Sequence, residues 1–274
     1  MDLSTLRQSE LIKRALSGLV IVLSVIAGII LGSLPWLAVI AVISLFSLCE
    51  FYNLISSRAH ISRGIGLILA VVILALSYTG LTANYCLPVI SIGAFALILI
   101  EIIRKQVTGT SNVLWNLGAT TAGIVFVMLP WTFMYLLRAK GYGVYILLAL
   151  FICTWTCDVF AYIIGSKWGR NLLCERISPR KTWEGFWGGI AGALLGSIFI
   201  PYFYGLQPMP YLLIGVICGI TGQLGDLGES ILKREAGVKD SGKLIPGHGG
   251  FLDRFDSILV SGTITYLIFG VILG

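Results

Sequence analysis

Long runs of apolar residues, separated by short polar breaks, dominate the chain. Nine runs stand out, at roughly 15–33, 36–56, 64–82, 85–103, 113–137, 143–165, 184–204, 209–232 and 251–273. Each is a continuous stretch of about 20 residues, the length an α-helix needs to cross a bilayer. Alternating runs of about ten, as in a β-barrel, are not seen. The pattern predicts an all-α, polytopic integral membrane protein with about nine transmembrane helices. The fifth run contains Pro130, where a kink or break is expected. The first run follows a polar start and reads as a retained helix, not a cleaved signal peptide. Two breaks are longer than the others, basic and glycine-bearing: residues 166–183 and 233–250.

Composition supports this reading. Of 274 residues, 57% are hydrophobic and 12% charged, against about 25% charged in an average soluble domain. Such a chain has too few charges to solvate a soluble surface. The 33 glycines suit close helix packing in lipid. The six cysteines (Cys49, Cys86, Cys153, Cys157, Cys174 and Cys218) lack CxxC spacing, and most lie inside apolar runs. They read as small buried hydrophobes, without disulfide or zinc.

The net charge of +6 takes its meaning from the membrane, and no nucleic-acid partner is implied. With the N-terminus cytoplasmic, seventeen of the nineteen basic residues fall on the cytoplasmic side, and only Arg138 and Lys140 fall outside. This is a strong positive-inside bias, and it places both long loops in the cytoplasm. The expected organisation is an N-terminal scaffold of spans one to five (residues 1–142) and a C-terminal catalytic region of spans six to nine (residues 143–274).

Acidic residues inside spans are costly and mark function by default. Asp158 in span six, Asp226 in span eight and Asp253 at the start of span nine fall at similar depth on the cytoplasmic side. Glu50 and Glu101 have comparable positions. Glu101 precedes Arg104 by one turn and is expected to pair with it. For Glu50, pairing with Arg58 and membership of a site both stay open. Asp226, Glu229 and Lys233 share a helical face, as do Asp253 and Asp256. Clustered carboxylates stay ionised only if cations compensate. Oxygen ligands without His or Cys suit a hard ion, with Mg²⁺ the first choice.

The two loops supply basic groups. Residues 233–250 carry Lys233, Arg234, Lys239, Lys243, His248, Gly249 and Gly250 and lead directly into the N-terminus of span nine. That geometry favours anions. His248 reads either as a phosphate donor or as a turn-stabilising residue, and His60 as surface. In the other loop, Thr182 is a candidate N-cap of span seven, with Arg180 and Lys181 beside the helix start. Asp158, Tyr162, Gly165 and Gly169 form one stripe of span six, suited to close helix contact.

The 27 residues from Ser230 to Asp256, with Lys233-Arg234, Lys239-Asp240, Lys243, Pro246, His248-Gly249-Gly250 and Asp253-Arg254 in place, resemble the signature of the phosphatidate cytidylyltransferase (CDP-diacylglycerol synthase) family. The Asp158 stripe and the segment Ser178–Gly185 also resemble family segments, although Arg180 stands where many members have Lys. The resemblance covers roughly residues 150–270. It implies a membrane enzyme of phospholipid biosynthesis that joins CTP and phosphatidate, giving CDP-diacylglycerol and pyrophosphate. It also implies dependence on a divalent metal, a homodimer, and a site on the cytoplasmic side of the cell (inner) membrane.

In that scheme Asp226 and Asp253 hold Mg²⁺. Lys233, Arg234, Lys239 and Lys243 meet the triphosphate, with His248, Gly249 and Gly250 in the same loop. Arg180 and Lys181 meet the lipid phosphate or the nucleotide. Asp256 completes the metal shell or orients Arg254, and Asp158 assists a second cation or holds a basic residue. A transporter would need polar groups through both leaflets, but the outer halves of the spans are almost free of charge. A CTP-using lipid kinase is opposed by the signature, not by charge alone.

Overall fold

The structure, a computed structural model, describes residues 3–56, 61–245 and 249–273, with side chains described from residue 14. The helices are α1 (Leu3–Leu31), α2 (Ser33–Ile55), α3 (Arg63–Thr79), α4 (Thr82–Thr108), α5 (Val113–Gly123), α6 (Leu129–Arg138), α7 (Gly143–Trp168), α8 (Trp183–Ser197), α9 (Phe199–Tyr204), α10 (Pro208–Ile217), α11 (Gln223–Glu235) and α12 (Leu252–Tyr266). Among the described residues, eight helical segments are long and apolar enough to cross a membrane, and α3 adds a shorter apolar helix of 17 residues. These nine match the nine apolar runs. The chain is a polytopic integral membrane protein. All six cysteines are free thiols; Cys153, Cys157 and Cys218 are buried, whereas Cys49, Cys86 and Cys174 are only partly so.

Among the described residues, three spans contain a π turn. In the fifth, Ile124–Met128 joins α5 to α6 just before Pro130. Proline lacks an N–H and its ring clashes with the carbonyl four residues earlier. Here that carbonyl belongs to Phe126, inside the wider π turn, so the helix continues past Pro130 unbroken. The eighth span has a π turn at Cys218–Gly222, directly before α11. The ninth ends in one at Leu267–Ile272.

The chain divides into two compact units. The first comprises Met1–Tyr135 and Asp240–Arg254, so the glycine-rich loop before α12 groups with the early helices. The second comprises Leu136–Lys239 and Phe255–Gly274.

In the first unit, Trp36, Tyr52, Ile40, Ile73 and Ile124 are buried in the core. Tyr52 donates to Thr120 O (3.0 Å). A polar clasp surrounds buried Glu101, which accepts from Asn116 Nδ2 (2.8 Å) and Asn112 N (2.9 Å). It also pairs with Arg104 at 2.5 Å, the expected i, i+3 partner. Asn116 in turn holds Ser62, through its backbone N (2.8 Å) and its Oγ (2.9 Å).

In the second unit, α7 and α8 pack through glycines. Gly185, Gly188, Gly192 and Gly196 lie along one face of α8. A methyl group at these positions would press on Ala161 O, Ile164, Phe160 and Thr156 of α7. Small residues at this spacing let two backbones approach closely, which is how helices gain packing contact in lipid.

Candidate active site

The loop before α8 forms a small hairpin that the apolar pattern did not predict. Strand β1 (Leu172–Cys174) pairs antiparallel with β2 (Ser178–Thr182). At its end Thr182 caps α8, its Oγ1 accepting from Gly185 N at 3.1 Å, as foreseen. Glu184 accepts from the backbone N–H groups of Arg170 (3.1 Å) and Asn171 (3.3 Å) and from Asn171 Nδ2 (2.8 Å). The hairpin therefore springs from a fixed base. It holds Arg180 exposed and Lys181 half-buried on the same strand.

Lys181 reaches across to α11. Its Nζ lies 2.7 Å from Asp226 Oδ2 and 3.5 Å from Gln223 O. Asp226 also accepts from Ser230 Oγ at 3.4 Å. Gln223 fixes the start of this helix, since its Nε2 donates to Gly219 O (2.6 Å), within the π turn, and to Phe186 O (3.0 Å) of α8. One turn after Asp226, buried Glu229 forms an ion pair with Lys233 at 2.5 Å. Buried Asp256 of α12 lies against Glu229 and within charge range of Asp226 and Lys233, and it accepts from Ser257 N (2.7 Å). Gly225 lets the helices meet here, because a Cβ would sit 2.7 Å from Asp256 O. The second unit thus gathers three carboxylates and two ammonium groups. Lys181 offsets Asp226 and Lys233 offsets Glu229, while Asp256 lies buried against Glu229 with Lys233 within charge range.

Arg234 ties the end of α11 to the hairpin through Ile177 O (3.4 Å) and to Val238 O (3.2 Å). Lys239 is exposed beyond it, and Asp158 is exposed on α7.

The first unit carries the rest of the predicted residues. Asp253, in the first turn of α12, accepts from Ser241 N (3.1 and 2.9 Å to its two oxygens) and from Gly250 N (2.9 Å). An acidic side chain that folds back on backbone N–H groups ahead of its own helix closes the loop and complements the helix dipole. Gly249 has φ +83°, a region open to glycine at little cost, and it bridges to Ile245. Lys243 and Arg254 are exposed. His248 lies outside the described residues, as do Arg58 and His60.

The donor set suits a hard cation, since every candidate ligand is a carboxylate oxygen. Among the described residues, no three His, Cys, Asp or Glu side chains gather closely enough to hold a metal ion by themselves. Magnesium needs only one or two protein carboxylates when substrate phosphates and water complete its shell. The donor chemistry therefore fits such an ion.

Long apolar helices with a lysine-paired carboxylate array on α11 define an integral membrane protein with a buried charged cluster. Over residues 12–272 the chain matches the model of the Cytidylyltransferase family. It belongs to that family. It is 46% identical over 129 residues to a phosphatidate cytidylyltransferase of Staphylococcus haemolyticus, a match covering 46% of this chain and 50% of that protein. Proteins of the same name from Staphylococcus saprophyticus and Staphylococcus aureus are 44% and 43% identical over the same length and coverage. The chain spans about half the length of these relatives.

Proposed function

We propose that this chain is a phosphatidate cytidylyltransferase, which converts CTP and phosphatidate to CDP-diacylglycerol and pyrophosphate. The observation that carries the reading is the array of Lys181–Asp226 and Lys233–Glu229 around Asp256, in a chain of the cytidylyltransferase family. The similar staphylococcal proteins bear the name of this activity.

A phosphate oxygen of phosphatidate is the nucleophile. It forms a bond to the α-phosphorus of CTP while the bond to the bridging oxygen breaks, and pyrophosphate leaves in line. A lipid phosphate is already ionised near neutral pH, so the reaction needs no strong base. It needs shielding and alignment of like charges. Lys233, Arg234, Lys239 and Lys243 serve the triphosphate. Arg180 and Lys181 serve the lipid phosphate or the nucleotide, on a hairpin fixed by Glu184 and Thr182. Lys181 orients Asp226 until a substrate arrives. Asp256 orients Arg254 or joins the metal shell, and Asp158 serves a second cation or a basic residue. Asp226 and Asp253 would hold magnesium, whose charge offsets that of the triphosphate when bound.

The loops at 166–183 and 233–250 face the cytoplasm of the cell (inner) membrane, as the basic residues favour. The enzyme works as a homodimer. The lipid keeps its tails in the bilayer while CTP arrives from water. The test is turnover by the purified protein in detergent, supplied with Mg²⁺, phosphatidate and each labelled nucleoside triphosphate in turn. Pyrophosphate and a nucleotide-linked lipid appearing together with CTP supports the reading. Transfer of the γ-phosphate alone refutes it.

A further inference from the structure

We infer that Glu50 is a positioning residue, whose carboxylate holds residues 241–242 and 250–252 in the form that sets Asp253. The inference rests on the function proposed above only in giving Asp253 its role. Glu50 lies in α2 and is 2% exposed. Its Oε2 accepts from Leu252 N (2.9 Å) and Ser241 Oγ (3.3 Å). Leu252 is the first residue of α12, and the first amides of a helix have no partner within it. Glu50 supplies that cap from a distant helix.

The fit is close. A Cβ at Gly242 would overlap Glu50 Oε1, and one at Gly250 would overlap Oε2. One turn before Glu50, Phe46 stacks on Phe251 of the loop, with ring centroids 5.2 Å apart.

Two loop residues then touch both carboxylates. Ser241 donates its Oγ to Glu50 and its N–H to Asp253. Gly250 packs on Glu50 and donates its N–H to Asp253. A shift of Glu50 therefore moves the donors that orient Asp253. The carboxylate is also expensive: it is buried, and burying an acid costs free energy that an apolar side chain of equal size would not. Packing alone does not account for an acid at this position. The acceptor demand of Leu252 and Ser241 does.

The test compares Glu50→Ala, Glu50→Asp and Glu50→Gln in the full chain, in detergent. The first readout is amide hydrogen exchange of residues 240–252 relative to 143–168. The second is the Mg²⁺ concentration that half-saturates turnover of CTP with phosphatidate. In Glu50→Ala, exchange at 240–252 rises at least about tenfold with none at 143–168, and half-saturating Mg²⁺ rises about tenfold while kcat at saturating Mg²⁺ stays within about threefold, as for groups that orient a metal ligand.

Glu50→Gln keeps an acceptor oxygen and the shape, and stays within about threefold of the parent in both readouts. Glu50→Asp is one methylene short and behaves as the alanine variant. Parental exchange at 240–252 in Glu50→Ala overturns the inference, as does an unmoved Mg²⁺ requirement. If the alanine variant does not fold, the Gln and Asp variants decide: equal behaviour of the two overturns it, and rescue by Gln alone upholds it. If the parent makes no nucleotide-linked lipid, the proposed function fails, and the exchange readout alone decides the role of Glu50.

Discussion

Lys181 and Asp226 show what a single ion pair contributes here. They come from a hairpin and a helix, and each keeps part of its side chain in solvent (23% and 36% exposed). Exposed pairs of this kind add little to stability, so their loss should register in activity. Asp226→Asn and Asp253→Asn each lower kcat/KM on the order of 10²–10³-fold, the loss that follows removal of a preorganised electrostatic group, while both proteins still insert. Normal turnover in both purified variants would refute the metal assignment. Arg180 is exposed, so Arg180→Ala leaves the melting temperature unchanged and raises the apparent KM of one substrate about tenfold, the value of one lost charge-assisted contact. An unchanged rate at limiting CTP and at limiting phosphatidate would remove Arg180 from the site.

The sequence named Lys181, Asp226, Lys233 and Asp256 as candidates and placed Glu229 only on the face of Asp226 and Lys233, because helical spacing fixes neighbours on one helix alone. The pairing of Lys181 with Asp226 depends on how the hairpin returns to α11, which no local pattern encodes. Glu50 stayed ambiguous for the same reason: its partners, Ser241 and Leu252, come from the far end of the chain.

Among the helices, α8 depends most visibly on its glycines. Gly192→Val pushes against Phe160 and Thr156 O and destabilises by about 1–3 kcal/mol, the usual cost of overpacking. Gly118 of α5 has open space around the position of a Cβ, so Gly118→Ala causes no loss and a gain of up to about 1 kcal/mol. Thermal unfolding in detergent checks the pair, and equal effects at the two sites would contradict the packing account. Thr182→Ala removes the cap of α8 at a cost of about 1 kcal/mol, read in the same assay. The apolar runs made the nine helical spans legible, since bilayer thickness sets their length. The π turns were not legible. Pro130 marked a disturbance in the fifth span, but whether it breaks the helix or widens a turn depends on neighbouring packing. The hairpin at 172–182 hid in a loop whose strands are too short to show a period.

For the molecule as a whole, the uneven distribution of basic residues predicts orientation. In a background where the native cysteines are replaced, Lys140→Cys reacts with a membrane-impermeant maleimide in intact cells, and Lys239→Cys reacts only after permeabilisation. The reverse pattern would invert the topology and place the loops away from cytoplasmic CTP. The central claim is that this chain transfers a cytidylyl group to a lipid phosphate at its aspartates. The most direct measurement incubates the purified protein with Mg²⁺, phosphatidate and labelled CTP and follows both products. The account predicts pyrophosphate and CDP-diacylglycerol in equal amounts, with both lost in Asp226→Asn and in Asp253→Asn. Formation of neither product by the parent protein, or undiminished formation by both variants, would contradict it.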